Sequence, residues 1–158
     1  YVSGRRVFQF RQRTNEIWEL DFRGTGKLDL AATVPGPVFR RETPSVMYDR
    51  GKVLVIQGYQ NASVINIRNG INPTSQPTGS LREPRYWANT VALPNGEILM
   101  VGGASVLQLE EYAVKYAEIW SPLTGQWRVA ASAEKSRLYH STALLLPDAT
   151  VLVGGGTY

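Results

Sequence analysis

Arg85-Tyr86-Trp87-Ala88-Asn89-Thr90-Val91-Ala92-Leu93-Pro94-Asn95-Gly96-Glu97-Ile98-Leu99-Met100-Val101-Gly102-Gly103 has an ungapped second copy 53 residues later. That copy runs Leu138-Tyr139-His140-Ser141-Thr142-Ala143-Leu144-Leu145-Leu146-Pro147-Asp148-Ala149-Thr150-Val151-Leu152-Val153-Gly154-Gly155-Gly156. In each, an apolar run meets a tight turn, and a second apolar run ends in glycines, which is the pattern of a β-hairpin. Self-similarity at roughly 40–50 residues marks an architecture in which every repeat is one supersecondary unit. His140, the single histidine, stands where the first copy has Trp87. A repeat sets the scaffold, so a departure from it is a candidate for function.

Outward from these copies, almost every stretch has strand character. Val7-Phe8-Gln9-Phe10 is one strand, and Glu16 to Phe22 alternates polar and apolar residues up to Gly24-Thr25-Gly26. Ser45-Val46-Met47-Tyr48 leads through Asp49-Arg50-Gly51 into the apolar run Lys52 to Gly58. Ala62 to Ile67 follows, and Ala117 to Trp127 reads as strand, turn and strand. Asn69 to Pro84, rich in Asn, Pro, Thr, Ser and Gly, is expected to be a surface loop. Leu107 to Tyr116 is the one helical candidate, and it lacks an apolar stripe. Gly51 and Gly96 are 45 residues apart. Four-stranded units at that spacing predict an all-β fold, a β-propeller, with blades at 1–43 (partial), 44–85, 86–137 and 138–158 (partial). About three blades are too few for a ring that closes with about four to eight. The expectation is therefore a wedge of a larger propeller whose remaining blades lie elsewhere in a longer polypeptide or in other chains.

Composition narrows the function classes. The 158 residues include no cysteine, which excludes a disulfide, a thiolate metal site or a cysteine nucleophile within this chain. A net charge of +4 is spread along the sequence without a basic block. Nucleic acid is therefore not an expected partner. No apolar run approaches the ~20 residues that cross a bilayer. Gly154-Gly155-Gly156 is followed by neither Lys nor Ser/Thr, so it is not a phosphate-binding loop.

The apolar strand, Gly-Gly and Thr124-Gly125-Gln126-Trp127 pattern is kelch-like. Arg137-Leu138-Tyr139-His140-Ser141, with Leu144-Leu145-Leu146-Pro147-Asp148 and Val151 to Gly156, resembles the late propeller blades of the galactose oxidase and glyoxal oxidase family of secreted copper-radical oxidases. Gly4 with Val7-Phe8-Gln9, Val46-Met47-Tyr48-Asp49, Gly51-Lys52, Tyr59-Gln60, Glu118-Ile119 and Ser121-Pro122 fit in the same order. The resemblance implies an extracellular enzyme that oxidises a small alcohol, aldehyde or carbohydrate with dioxygen and releases hydrogen peroxide. It implies copper held by two tyrosines and two histidines, and it maps one tyrosine ligand, which also acts as the base, onto Tyr139 and one histidine onto His140. Tyr59 and Gln60 would line the substrate side. The cross-linked tyrosine–cysteine pair cannot form here, and the second histidine is expected from a domain after the propeller. Because successive side chains of a strand face opposite ways, Tyr139 and His140 could share a metal only from a strand end or loop.

A second reading follows from what is missing. A propeller that kept the scaffold without the chemistry would bind carbohydrate or protein. Among lesser candidates, Trp87 is expected to fill the inner wall, Arg40-Arg41-Glu42 to be a solvated turn, and Leu107 to Glu111 to border the mouth. Asn61-Ala62-Ser63 is an N-glycosylation triplet.

Overall fold

A computed structural model describes residues 2–3, 6–68, 72–107 and 109–156. Gly4, Asn69 and Gln108, which figure in the sequence readings above, lie outside the described residues. The chain forms successive antiparallel sheets whose strands follow one another in chain order. The first holds β1 (Val2–Ser3), β2 (Arg6–Phe10), β3 (Glu16–Asp21) and β4 (Lys27–Thr33), and the second β5 (Ser45–Asp49), β6 (Lys52–Gln57), β7 (Asn61–Asn66) and β8 (Thr74–Thr78). The third holds β9 (Asn89–Ala92), β10 (Ile98–Val101), β11 (Tyr116–Trp120) and β12 (Trp127–Ser132), and the fourth β13 (Ser141–Leu145) and β14 (Val151–Gly155). In the second, third and fourth sheets the first strands stand together, β9 beside both β5 and β13, so these three sheets fan outward from a shared inner edge. No helix among the described residues is long and apolar enough to cross a membrane.

Strand β6 shows why a continuous apolar run was needed. Its alternate side chains bury into two different cores, as strands covered on both faces require. Val53 and Val55 join Phe8, Ile17, Phe39 and Ile65 between the first two sheets. Leu54 and Ile56 join Ile98, Met100 and Trp120 between the second and third. Tyr48 meets Trp120 edge-on at 4.9 Å, which adds a directed aromatic contact to that second core.

Two expectations are corrected. The stretch 69–84 is not wholly loop, because β8 pairs with β7 through Ala62↔Thr78 to Asn66↔Thr74. It is the edge strand of its sheet, where Pro77 costs no ladder bond to a further neighbour. The helical candidate at 107–116 holds only a 3-10 turn at Glu110–Tyr112, with no buried side chain to anchor anything longer.

Candidate metal centre

Register places one two-residue pair from each of three sheets at equivalent positions. Ser45 faces Val55, Thr90 faces Met100 and Ala143 faces Val153, which preserves the offsets of 45 and 53 residues. Counting back three residues from the first member of each reaches Glu42, Trp87 and His140. The pairs are thus Arg41–Glu42, Tyr86–Trp87 and Tyr139–His140, each in the turn that leads into its sheet's first strand. Trp87 and His140 both adopt the left-handed conformation, at φ +61° and +63°. Glycine makes room for the third sheet's turn: a Cβ on Gly103 (φ +83°) would stand 2.6 Å from the Tyr86 carbonyl oxygen.

The left-handed residue solves the alternation problem for Tyr139 and His140. Their rings stack at 3.7 Å, so both point to one wall although they are neighbours in sequence. Trp87 leans on Tyr139 at 4.4 Å with the planes tilted by 50°. Arg41, Glu42, Trp87, Asn89, Tyr139 and His140 surround a cavity of about 280 Å³. Asn89 donates from Nδ2 to the Ser141 hydroxyl at 2.8 Å, tying β9 to β13 beside it.

Glu42 corrects the expectation of a solvated turn. Its side chain is 14% exposed and accepts from Arg41 Nε at 2.8 Å. Burial raises its pKa, but the Arg41 hydrogen bond, its own backbone and the Arg41 and Arg40 charges together hold it below the usual glutamate value. Arg41 is held above its ordinary range by Glu42 first, with Tyr139 and Tyr59 near enough to contribute.

Tyr59 lies in the turn after β6, at φ +75°, stacked on Tyr86 at 3.8 Å with the Arg40 guanidinium 5.5 Å from its ring centre. Neither ring is among the residues that surround the cavity, although Trp87, the neighbour of Tyr86, is. Burial, then the Tyr59 ring, pushes the Tyr86 phenol up. Gln60 is turned elsewhere: its side-chain amide donates to the carbonyls of Leu81 at 3.0 Å and Arg82 at 3.3 Å, holding that loop.

Sequence reasoning missed the most buried charges. Arg85 and Glu118 are 0% and 1% exposed and pair at 2.9 Å. Arg85 also donates to the Gly102 and Tyr116 carbonyls, and Glu118 accepts from the Arg82 backbone N–H. Burial pushes the Arg85 guanidinium below its ordinary range, and Glu118 opposes that shift. The available signal was Glu118 itself, a charge two residues before Trp120 on the same inward face of β11. This pair lies away from the cavity and braces the third sheet.

Among the described residues no three of His, Cys, Asp and Glu come together as a metal cluster. A metal at Tyr139–His140 would thus draw on donors beyond that set. No family model matches the chain. Aldehyde oxidase GLOX1 of Arabidopsis thaliana is 35% identical over 85 residues, covering 49% of this chain and 14% of that protein. Galactose oxidase of Gibberella zeae is 33% identical over 129 residues, covering 71% of this chain and 19% of that protein. A solved fungal alcohol oxidase of the AA5 family, in complex with copper, superposes with a TM-score of 0.87 at 29% identity, over 98% of this chain and 35% of that one. The chain therefore spans about a third or less of each of these relatives, and what it spans is β-propeller. By these sequence matches and by the fold shared over 98% of its length, the chain belongs to the galactose oxidase and glyoxal oxidase-like family of copper-radical oxidases.

Proposed function

We propose that the chain is part of a secreted copper oxidase that acts on a primary alcohol or aldehyde, with dioxygen as the oxidant and hydrogen peroxide as the product. The observation that carries this reading is the Tyr139–His140 stack, in which a phenol ring and an imidazole lie together in the lining of one cavity. An imidazole with an oxygen donor suits copper, and an open side leaves room for substrate. Tyr139 and His140 would hold the metal, joined by donors from outside this chain. Copper, when bound, supplies the one-electron chemistry that links substrate to dioxygen.

The chain's own residues supply binding and proton handling. Tyr139, in its deprotonated form, would take the substrate hydroxyl's proton on its phenolic oxygen and become the neutral phenol. His140 presents a ring nitrogen to the metal, in an orientation set by its left-handed backbone and its stack on Tyr139. Tyr59 and Tyr86 form an aromatic wall near the mouth against which an apolar or sugar face can lie. The remaining blades and a further domain complete the site.

Copper titration of the full-length protein tests this. His140→Ala is expected to weaken copper binding by at least about tenfold. Equal affinity in wild type and His140→Ala overturns the reading.

A further inference from the structure

Trp87 is placed as no wall-filling residue needs to be. Its indole Nε1 is buried and has no hydrogen-bond partner among the described residues. A leucine or phenylalanine would fill the same space without stranding a donor. Its backbone sits at φ +61°, a region that residues other than glycine rarely occupy and that clusters at functional sites. Its own N–H is tied to the Glu42 carbonyl of the preceding sheet at 2.7 Å. On the other side, the Asn89–Ser141 bond fixes β9 against β13. The turn is therefore anchored to both neighbouring sheets, and the indole it presents meets Tyr139 at 4.4 Å.

We infer that Trp87 is a positioning residue for Tyr139: it sets the plane of the phenol ring, and so the direction of its oxygen, while touching neither metal nor substrate. This rests on the reading of Tyr139 and His140 as copper ligands. Tilted aromatic contacts of this kind are directional, so they fix orientation as well as burying area.

The experiment uses the copper-loaded full-length protein and three variants, Trp87→Ala, Trp87→Leu and Trp87→Phe. The readouts are the visible tyrosinate-to-copper absorption band, kcat and KM separately, and copper affinity. Trp87→Ala and Trp87→Leu are expected to shift or weaken the band and to lower kcat about tenfold, with KM and copper affinity changed less than about threefold. Trp87→Phe, which keeps a ring face, is expected to restore the band and most of kcat. Trp87→Leu fills the space without a ring, so it separates orientation from bulk even where the alanine variant does not fold. A wild-type band and kcat in Trp87→Leu overturns the inference, as does a raised KM with kcat intact. Loss of copper in His140→Ala alongside an unchanged band in every Trp87 variant sinks this inference alone. Unchanged copper affinity in His140→Ala sinks the underlying reading with it.

Discussion

The third and fourth sheets start from the same sequence unit and end with different tasks. In the third, Arg85 donates to the Gly102 carbonyl at 3.1 Å and is sealed in by Glu118 from β11. In the fourth, Arg137 donates to the Gly155 carbonyl, the counterpart of Gly102, at 2.9 Å. Arg137 is half-buried among the described residues, and the repeat puts the apolar Leu138, 3% exposed, where the third sheet has Arg85. The inner turns diverge as well. The third sheet presents Tyr86–Trp87 and the fourth Tyr139–His140. In the third sheet an outer strand thus supplies the buried brace, whereas the proposed site draws on the two-residue turns ahead of the first strands.

The sharpest way to break this comparison is Glu118→Ala, which leaves Arg85 charged, buried and alone. It is expected to cost about 3–5 kcal/mol in chemical denaturation of the full-length protein. Replacing Arg85 and Glu118 together by Met and Leu should recover most of that loss, since filling the space removes the stranded charge. Next is Gly103→Ala, expected to cost about 2–3 kcal/mol because strain and a clash with the Tyr86 carbonyl act together. Gly96→Ala is its control. Gly96 also has positive φ, +84°, but nothing lies within 4 Å of its missing Cβ, so strain alone costs about 1 kcal/mol. Arg137→Ala removes one side-chain hydrogen bond to a backbone carbonyl and should cost only about 0.5–1.5 kcal/mol. A loss as large as that of Glu118→Ala would erase the contrast between the two sheets.

The smallest effect is in pH. Glu42 has a lowered pKa when folded, so below its ordinary value of 4.5 the unfolded chain binds protons more readily. Its contribution is fully present above that value and is lost as pH falls toward the lower folded value. Denaturation midpoints of Glu42→Gln and wild type should therefore converge on acidification below about 4.5 and separate above it.

Much of the architecture was legible because the repeat preserves it. Hairpin turns at Pro94 and Pro147 sit at matching registers, and the run Val53 to Ile56 announced a strand buried on both faces. Strand β8 was not legible, since Thr74-Ser75-Gln76-Pro77-Thr78 is polar and contains proline. It is a strand only because β7 offers it an edge. For the site, His140 stood out as the departure from the repeat, beside Tyr139, which keeps the tyrosine of Tyr86. Glu42 did not, because Arg40-Arg41-Glu42 looks like any polar turn until the sheets bring it beside residues 45 and about 100 positions further on. The Arg85–Glu118 pair spans 33 residues, and no local pattern links its members.

Strand β6, which shares its side chains between two cores, has a dynamic consequence. Neither interior can loosen without disturbing the other, so the opening that frees one sheet must also pull on the next. The amides of residues 53 to 56 should be among the last in the chain to exchange with deuterated solvent, and their exchange should report the collapse of the whole wedge rather than the fraying of one sheet.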